Sequence, residues 1–191
     1  MNKRELYEKA YGILANVTPL VSDCGQLCNQ ACCHAIDDDS GMFLFPGEEV
    51  MYEDKPHWLR LETSNFTYGG GKKALVAICS ALCDRKLRPL ACRIFPLTPY
   101  IGHNGLLSLK VDPRAVPVCP LARANTPEKI DEAFIDAVAN VFKLLARDRE
   151  FKSFVLSLSR TMDEQEEVFR KFTENPSKKR TSRAIRRSYY R

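Results

Sequence analysis

At 191 residues, 45% of them hydrophobic and 28% charged, with no apolar run of membrane-spanning length, the chain has the make-up of a globular protein with a sizeable core. The composition excludes a largely disordered chain and a transmembrane one. The net charge of +5 hints at an anionic partner only until it is localised: residues 178–191 hold seven Lys or Arg and no acid, leaving 22 basic against 24 acidic residues, a net of −2, in residues 1–177.

Leu6, Ala10, Ile13, Leu14 and Val17 recur at helical spacing, which predicts an amphipathic helix over residues 3–17, ended by Pro19. Glu5, Glu8 and Lys9 interrupt its apolar residues, so the segment lacks the apolar middle of a secretory signal, and a cytoplasmic location is expected. Thiols stay reduced there. Eight cysteines in such a compartment favour metal or redox chemistry over a disulfide framework.

The stretch "CGQLCNQACCHAID" follows, with Cys24, Cys28, Cys32 and Cys33 inside ten residues. Metal capture needs soft thiolates that converge, and short spacings close small loops at little entropic cost. The CxxxC interval of Cys24 and Cys28 recurs at Cys79 and Cys83, within the range of zinc knuckles. Adjacent Cys32 and Cys33 cannot easily both face one ion from a regular helix or strand. Spacing excludes a c-type haem site, because position 30 is Gln, and the fixed run of a bacterial ferredoxin is absent. His34 is a candidate nitrogen ligand, whereas the carboxylates of "DDDS" at 37–40 read better as a solvated loop than as a hard-cation site.

Further along, Met42–Phe45 reads as a short strand, followed by a Pro-Gly turn and a helical turn. "HWLRLETSNF" and "KKALVAICSAL" read as two strands around the glycines of "TYGGGKK", which lack the spacing of a phosphate-binding loop. In "CDRKLRPLACRIFPL", residues 83–97, two prolines pin the backbone around Cys92, and Arg88 and Arg93 place positive charge beside it, favouring a thiolate or an anionic cluster. His103, Asn104 and Gly105 mark the turn of a β-hairpin, so His103 should be solvated. Cys119 stands alone in "VPVCPLA".

From residue 126 the pattern is helical. Thr126 and Pro127 are expected to start a helix with the stripe Ile130, Phe134, Ala137, Val141 and Leu145. A second helix should bury Phe151, Phe154, Val155 and Leu158. A third is expected to begin at Thr161, with Glu164 completing a capping box, and to bury Val168, Phe169 and Phe172. The basic end, with Tyr189 and Tyr190, is expected to be mobile.

The block CxxxCxxxCC, followed by Cys83, Arg88, Pro89, Cys92, Arg93, Phe95 and Pro96 and then by Cys119, resembles the CxxCxxCC family of zinc- or iron-chelating proteins, also called YkgJ-type cysteine cluster proteins. The likeness covers roughly residues 24–120. It implies that the clustered cysteines bind a metal or an iron-sulfur cluster; flagellin lysine methylases carry a similar cluster.

The expectation is therefore an α+β protein with a cysteine-cluster domain at 1–125, a helical region at 126–175 packed on it and a flexible basic tail at 176–191. Its cysteines, Cys24, Cys28, Cys32, Cys33, Cys79, Cys83, Cys92 and Cys119, would hold zinc or an iron-sulfur cluster, with Arg88 and Arg93 facing the bound group. The alternatives are a thiol- or cluster-dependent protein-modifying enzyme using Cys92, and a zinc-stabilised nucleic-acid binder using the tail. No triad or carboxylate pair assigns a catalytic residue. The expected partners are the metal or cluster and a protein partner or substrate; nucleic acid is disfavoured and no membrane is expected.

Overall fold

The computed structural model describes residues 1–22, 24–33, 41–54, 56–80, 84–123 and 129–173. It divides into two compact units, Met1–Ser159 and Arg160–Arg191. The fold is α+β, and among the described residues no helix is long and apolar enough to cross a membrane.

Helix α1 (Lys3–Ile13) opens on a reciprocal cap: the Asn2 side chain accepts the Glu5 N–H at 2.8 Å, and Glu5 accepts the Asn2 N–H at 3.2 Å. It is shorter than the apolar spacing predicts. After Ile13 the chain leaves the helix in a tight turn, Ala15 N–H donating to Gly12 O at 3.2 Å, while Leu14 stays buried. A four-residue helix, α2 (Gly25–Cys28), and a 3₁₀ turn at Ala31–Cys33 carry the first cysteine block.

Strands β1 (Met42–Phe43), β2 (Leu59–Tyr68) and β3 (Lys72–Cys79) form an antiparallel sheet in the order β1-β3-β2. Its packing explains Gly41, where a Cβ would come within 2.4 Å of the Ala77 carbonyl oxygen. The β2–β3 hairpin turns through Gly69, Gly70 and Gly71, all at positive φ. Register slips between Thr63 and Thr67, where Ser64 Oγ donates to Ala74 O and accepts from Phe66 N–H. The second hairpin, β4 (Leu97–Ile101) and β5 (Leu107–Val111), turns at the predicted His103–Gly105, and His103 is exposed.

Between the sheets lies the short helix α3 (Leu90–Ile94), which buries Leu90, Ala91 and Ile94. Helix α4 (Glu132–Leu145) buries the expected Phe134, Ala137, Val141 and Leu145. Its start differs from the sequence reading. Asp131 supplies the cap by accepting the Ala133 N–H at 2.8 Å, and Ile130 packs on the core from just outside the helix; Thr126 and Pro127 lie outside the described residues.

Helix α5 (Arg149–Thr173) starts under Asp148, whose carboxylate accepts the Glu150 and Phe151 N–H groups. One continuous helix replaces the two expected. No Gly or Pro interrupts residues 149–173, and a Thr161–Glu164 pair can act as a capping box only where the backbone leaves the helix. Val168, Phe169 and Phe172 are 54%, 70% and 69% exposed, so this stretch does not bury its apolar stripe as expected.

The core of the first unit is aromatic. Phe45 meets Phe142, Phe151 and Phe154 edge-on, with centroids 6.1, 5.3 and 5.9 Å away. Fully burying each such ring contributes about 1.5–3 kcal/mol of apolar transfer. α1, α3 and α4 share this core, which makes α3 a fixed base for the residues that point away from it.

Candidate functional site

Besides the apolar residues it buries, α3 carries Cys92, half-buried, and Arg93, which is buried. Pro89 precedes it, with no N–H to satisfy and a φ suited to a helix start. A residue far away in sequence completes the cap: Glu48 Oε1 accepts the Leu90 N–H at 2.7 Å. Glu48 is fully buried. It also accepts from the Tyr11 hydroxyl at 2.7 Å and, through Oε2, from the Phe45 N–H at 3.0 Å.

Tyr11 extends this network to the Tyr52 hydroxyl at 2.8 Å, and Tyr52 donates to Leu87 O at 3.0 Å. Arg93 closes it from the other side. Its guanidinium stacks over the Tyr11 ring, 4.2 Å from the centroid, and donates to Arg88 O and Lys86 O, each at 2.7 Å. Burial pushes the Glu48 carboxyl up to about 7, against hydrogen bonds from Leu90, Tyr11 and Phe45 that favour its charged form and the nearby Arg93 cation. The same burial lowers the Arg93 pKa. Sequence reading missed Glu48, Tyr11 and Tyr52, because their partners lie tens of residues away and no local spacing announces them.

On the far side of Arg93 is a cavity of about 40 Å³, several times the roughly 10–15 Å³ that one water requires. Five cysteines from three separate segments line it: Cys24, Cys28 and Cys32, then Cys92 on α3, then Cys119. Arg85, Arg88 and Arg93 line it as well, so the structure brings both expected arginines to the same wall as Cys92. Arg85 is tied to the Val17 carbonyl at 2.5 Å, which fixes its stem beside Pro19.

The first block reaches the cavity through an unusual turn. Asn29 and Gln30 both take the left-handed conformation, at φ 50° and 56°, and Gln30 N–H donates to Gly25 O at 2.9 Å. This reversal lets Cys32 come back over Cys24 and Cys28. The thiol of Cys32 is hydrogen-bonded to that of Cys33, and this contact, with burial and with the neighbouring Cys28 and Cys24, pushes its pKa up strongly. The adjacent pair thus divides: Cys32 lines the cavity and Cys33 does not.

Cys119 sits at the buried end. Burial and the neighbouring Cys28 raise its pKa, while the Leu121 and Ala122 N–H groups, hydrogen-bonded to its sulfur, work in the opposite direction by favouring a thiolate. Cys79 closes β3 opposite Leu59 and packs on the Leu44, Tyr52 and Trp58 cluster; it is not part of the cavity wall. Cys83 and His34 lie outside the described residues, as do "DDDS" and the basic tail. His57 is exposed.

The donor set around the cavity is sulfur with no described carboxylate or imidazole, which suits a soft or borderline cation and not calcium or magnesium. The arginines would offset the negative charge that several thiolates and a metal carry together. Among the described residues, no three His, Cys, Asp or Glu side chains are arranged to hold a metal ion. Zn–S bonds of about 2.3 Å imply sulfurs within about 4 Å of each other, so binding requires the wall to close inward. Comparison with known proteins finds no matching family, curated protein or solved structure.

Proposed function

We propose that the chain is a metal-binding protein whose clustered cysteines hold an iron-sulfur cluster or zinc. The observation that carries this reading is the meeting of Cys24, Cys28, Cys32, Cys92 and Cys119, from three segments, around one arginine-lined cavity. These five are the residues that would hold the group. Bound zinc would supply structural cross-linking without redox chemistry, and an iron-sulfur cluster would supply one-electron transfer.

The chain's own residues prepare the cavity for either. Arg85, Arg88 and Arg93 balance thiolate charge, the Leu121 and Ala122 N–H groups stabilise the Cys119 sulfur, and Glu48 holds the helix that carries Cys92. Protein purified without oxygen should carry about one equivalent of zinc, or about two to four of iron with the visible absorption of a cluster; colourless protein with under about half an equivalent of any metal would sink the reading.

A second reading, a thiol- or cluster-dependent protein-modifying enzyme, draws on the cavity beside Cys92 and its cationic wall. It requires Cys92 to react with an electrophile in the metal-free protein. Iodoacetamide labelling of Cys92 no faster than of a small-molecule thiol would exclude it.

A further inference from the structure

One seam runs the length of α5. Phe151, Val155, Leu158 and Met162 follow one another at intervals of four, three and four residues, and the same alternation continues through Gln165, Phe169 and Phe172. A seam of this period is the one along which two helices stay in contact as they wind around each other. Its two ends differ in cover. Phe151, Val155 and Met162 are buried, whereas every residue from 164 to 172 is exposed, and Val168, Phe169 and Phe172 fall on one face of that stretch. Scattered exposed apolar residues are ordinary; three that converge on one helix face mark a contact surface.

Charge identifies the occupant. Residues 163–167 hold four acids and no base, and residues 170 and 171 are Arg and Lys. Such a stretch is self-complementary when reversed: about a two-fold axis near residue 168, the acidic end of one copy meets the basic end of the other, and Glu164 and Lys171, two turns apart on one side of the apolar face, exchange partners. A parallel pair would set like charges side by side. The four carboxylates also repel an anionic membrane surface, so the face suits a second copy better. Lys171 meets Glu167 at 2.7 Å within the chain, in an exposed pair of the kind that contributes little by itself.

We propose that the exposed end of α5 pairs antiparallel with the same segment of a second copy of the chain, burying Val168, Phe169 and Phe172 between the two helices. The interface is small, below about 1,200 Å², so the dimer is weak and depends on concentration.

The test is sedimentation velocity of the full-length, reduced chain with a chelator present, so that neither disulfides nor bridging metal join copies. Wild type should pass from monomer to dimer over about a hundredfold rise in concentration through the micromolar range. Phe169→Gln and Phe172→Gln should each weaken the dimer about tenfold or more, with unchanged helical circular dichroism. Lys171→Glu should weaken it as well, and adding Glu164→Lys to that variant should restore it, since the exchange reinstates an opposed pair only in the antiparallel arrangement. Undiminished dimerisation of both Phe variants would place the interface elsewhere, and no recovery in the double variant would overturn the antiparallel pairing. Wild type that stays monomeric throughout would overturn the proposal, and if it instead sediments with phosphatidylserine vesicles the face belongs to a membrane surface.

Discussion

Glu48 has both carboxyl oxygens hydrogen-bonded and no exposure, and burial pushes its pKa up to about 7 from 4.5. The unfolded chain ionises this carboxyl above about pH 4.5, whereas the fold retains the proton until about pH 7, so the folded state binds more protons between those values. Stability should therefore fall as pH rises through that window and level off above it, by a total on the order of 3 kcal/mol. Urea midpoints measured across the window for wild type and Glu48→Gln test this: the variant should lose the decline, and an unchanged slope would refute the assignment. The turn before Cys32 makes a second prediction at this scale. Gln30→Gly should be close to neutral, whereas Gln30→Val should cost about 1–2 kcal/mol in urea denaturation, because a β-branched side chain tolerates a positive φ poorly.

Helices α4 and α5 show what patterning reveals and what it does not. The stripe from Phe134 to Leu145 and the triplet Phe151, Phe154 and Val155 read directly from the sequence, since burial on one face imposes a 3.6-residue period. The same rule mistakes Val168, Phe169 and Phe172 for core, because periodicity marks an apolar face without saying what covers it. Phe154→Ala should cost about 3–5 kcal/mol by leaving a cavity among Phe43, Phe45, Phe66 and Tyr68, while Phe172→Ala should stay within about 0.5 kcal/mol. Thermal or urea unfolding separates the two, and equal losses would contradict the observed burial. The turns were legible for a different reason: Gly69–Gly71 and Gly105 occupy positive φ, a conformation that selects for glycine.

Across the molecule, the cavity was legible in one respect and hidden in another. Cysteine is scarce, so clusters of it and the charged segment around Cys92 stand out in the sequence. Which sulfurs meet is a matter of tertiary folding, and nothing local distinguishes Cys119, which lines the cavity, from Cys79, which does not. Single substitutions divide accordingly: Cys92→Ser and Cys119→Ser should each lower the metal content of purified protein several-fold, and Cys79→Ser should leave it unchanged. Equal loss in all three would place Cys79 among the ligands. Stripping the metal with a chelator should lower the melting temperature of wild type, since a ligand that binds only the folded state stabilises it.

No residue from Cys24 to Cys33 is buried, whereas Cys92 stands on a helix anchored in the aromatic core and Cys119 is itself buried. One jaw of the cavity is therefore stiff and the other compliant. Amides of residues 25–33 should exchange with deuterium in small local openings, and the Leu90 amide, bonded to Glu48, only when the core opens. Under the proposed metal reading, closing this segment on an ion would fix up to about ten residues of backbone, at an entropic cost of roughly 1–2 kcal/mol for each residue newly fixed. If the chain binds a metal as proposed, its affinity would depend on how much of that segment is already ordered beforehand as well as on the metal–sulfur bonds. The two left-handed residues at its centre, Asn29 and Gln30, would then be a crease set before any metal arrives.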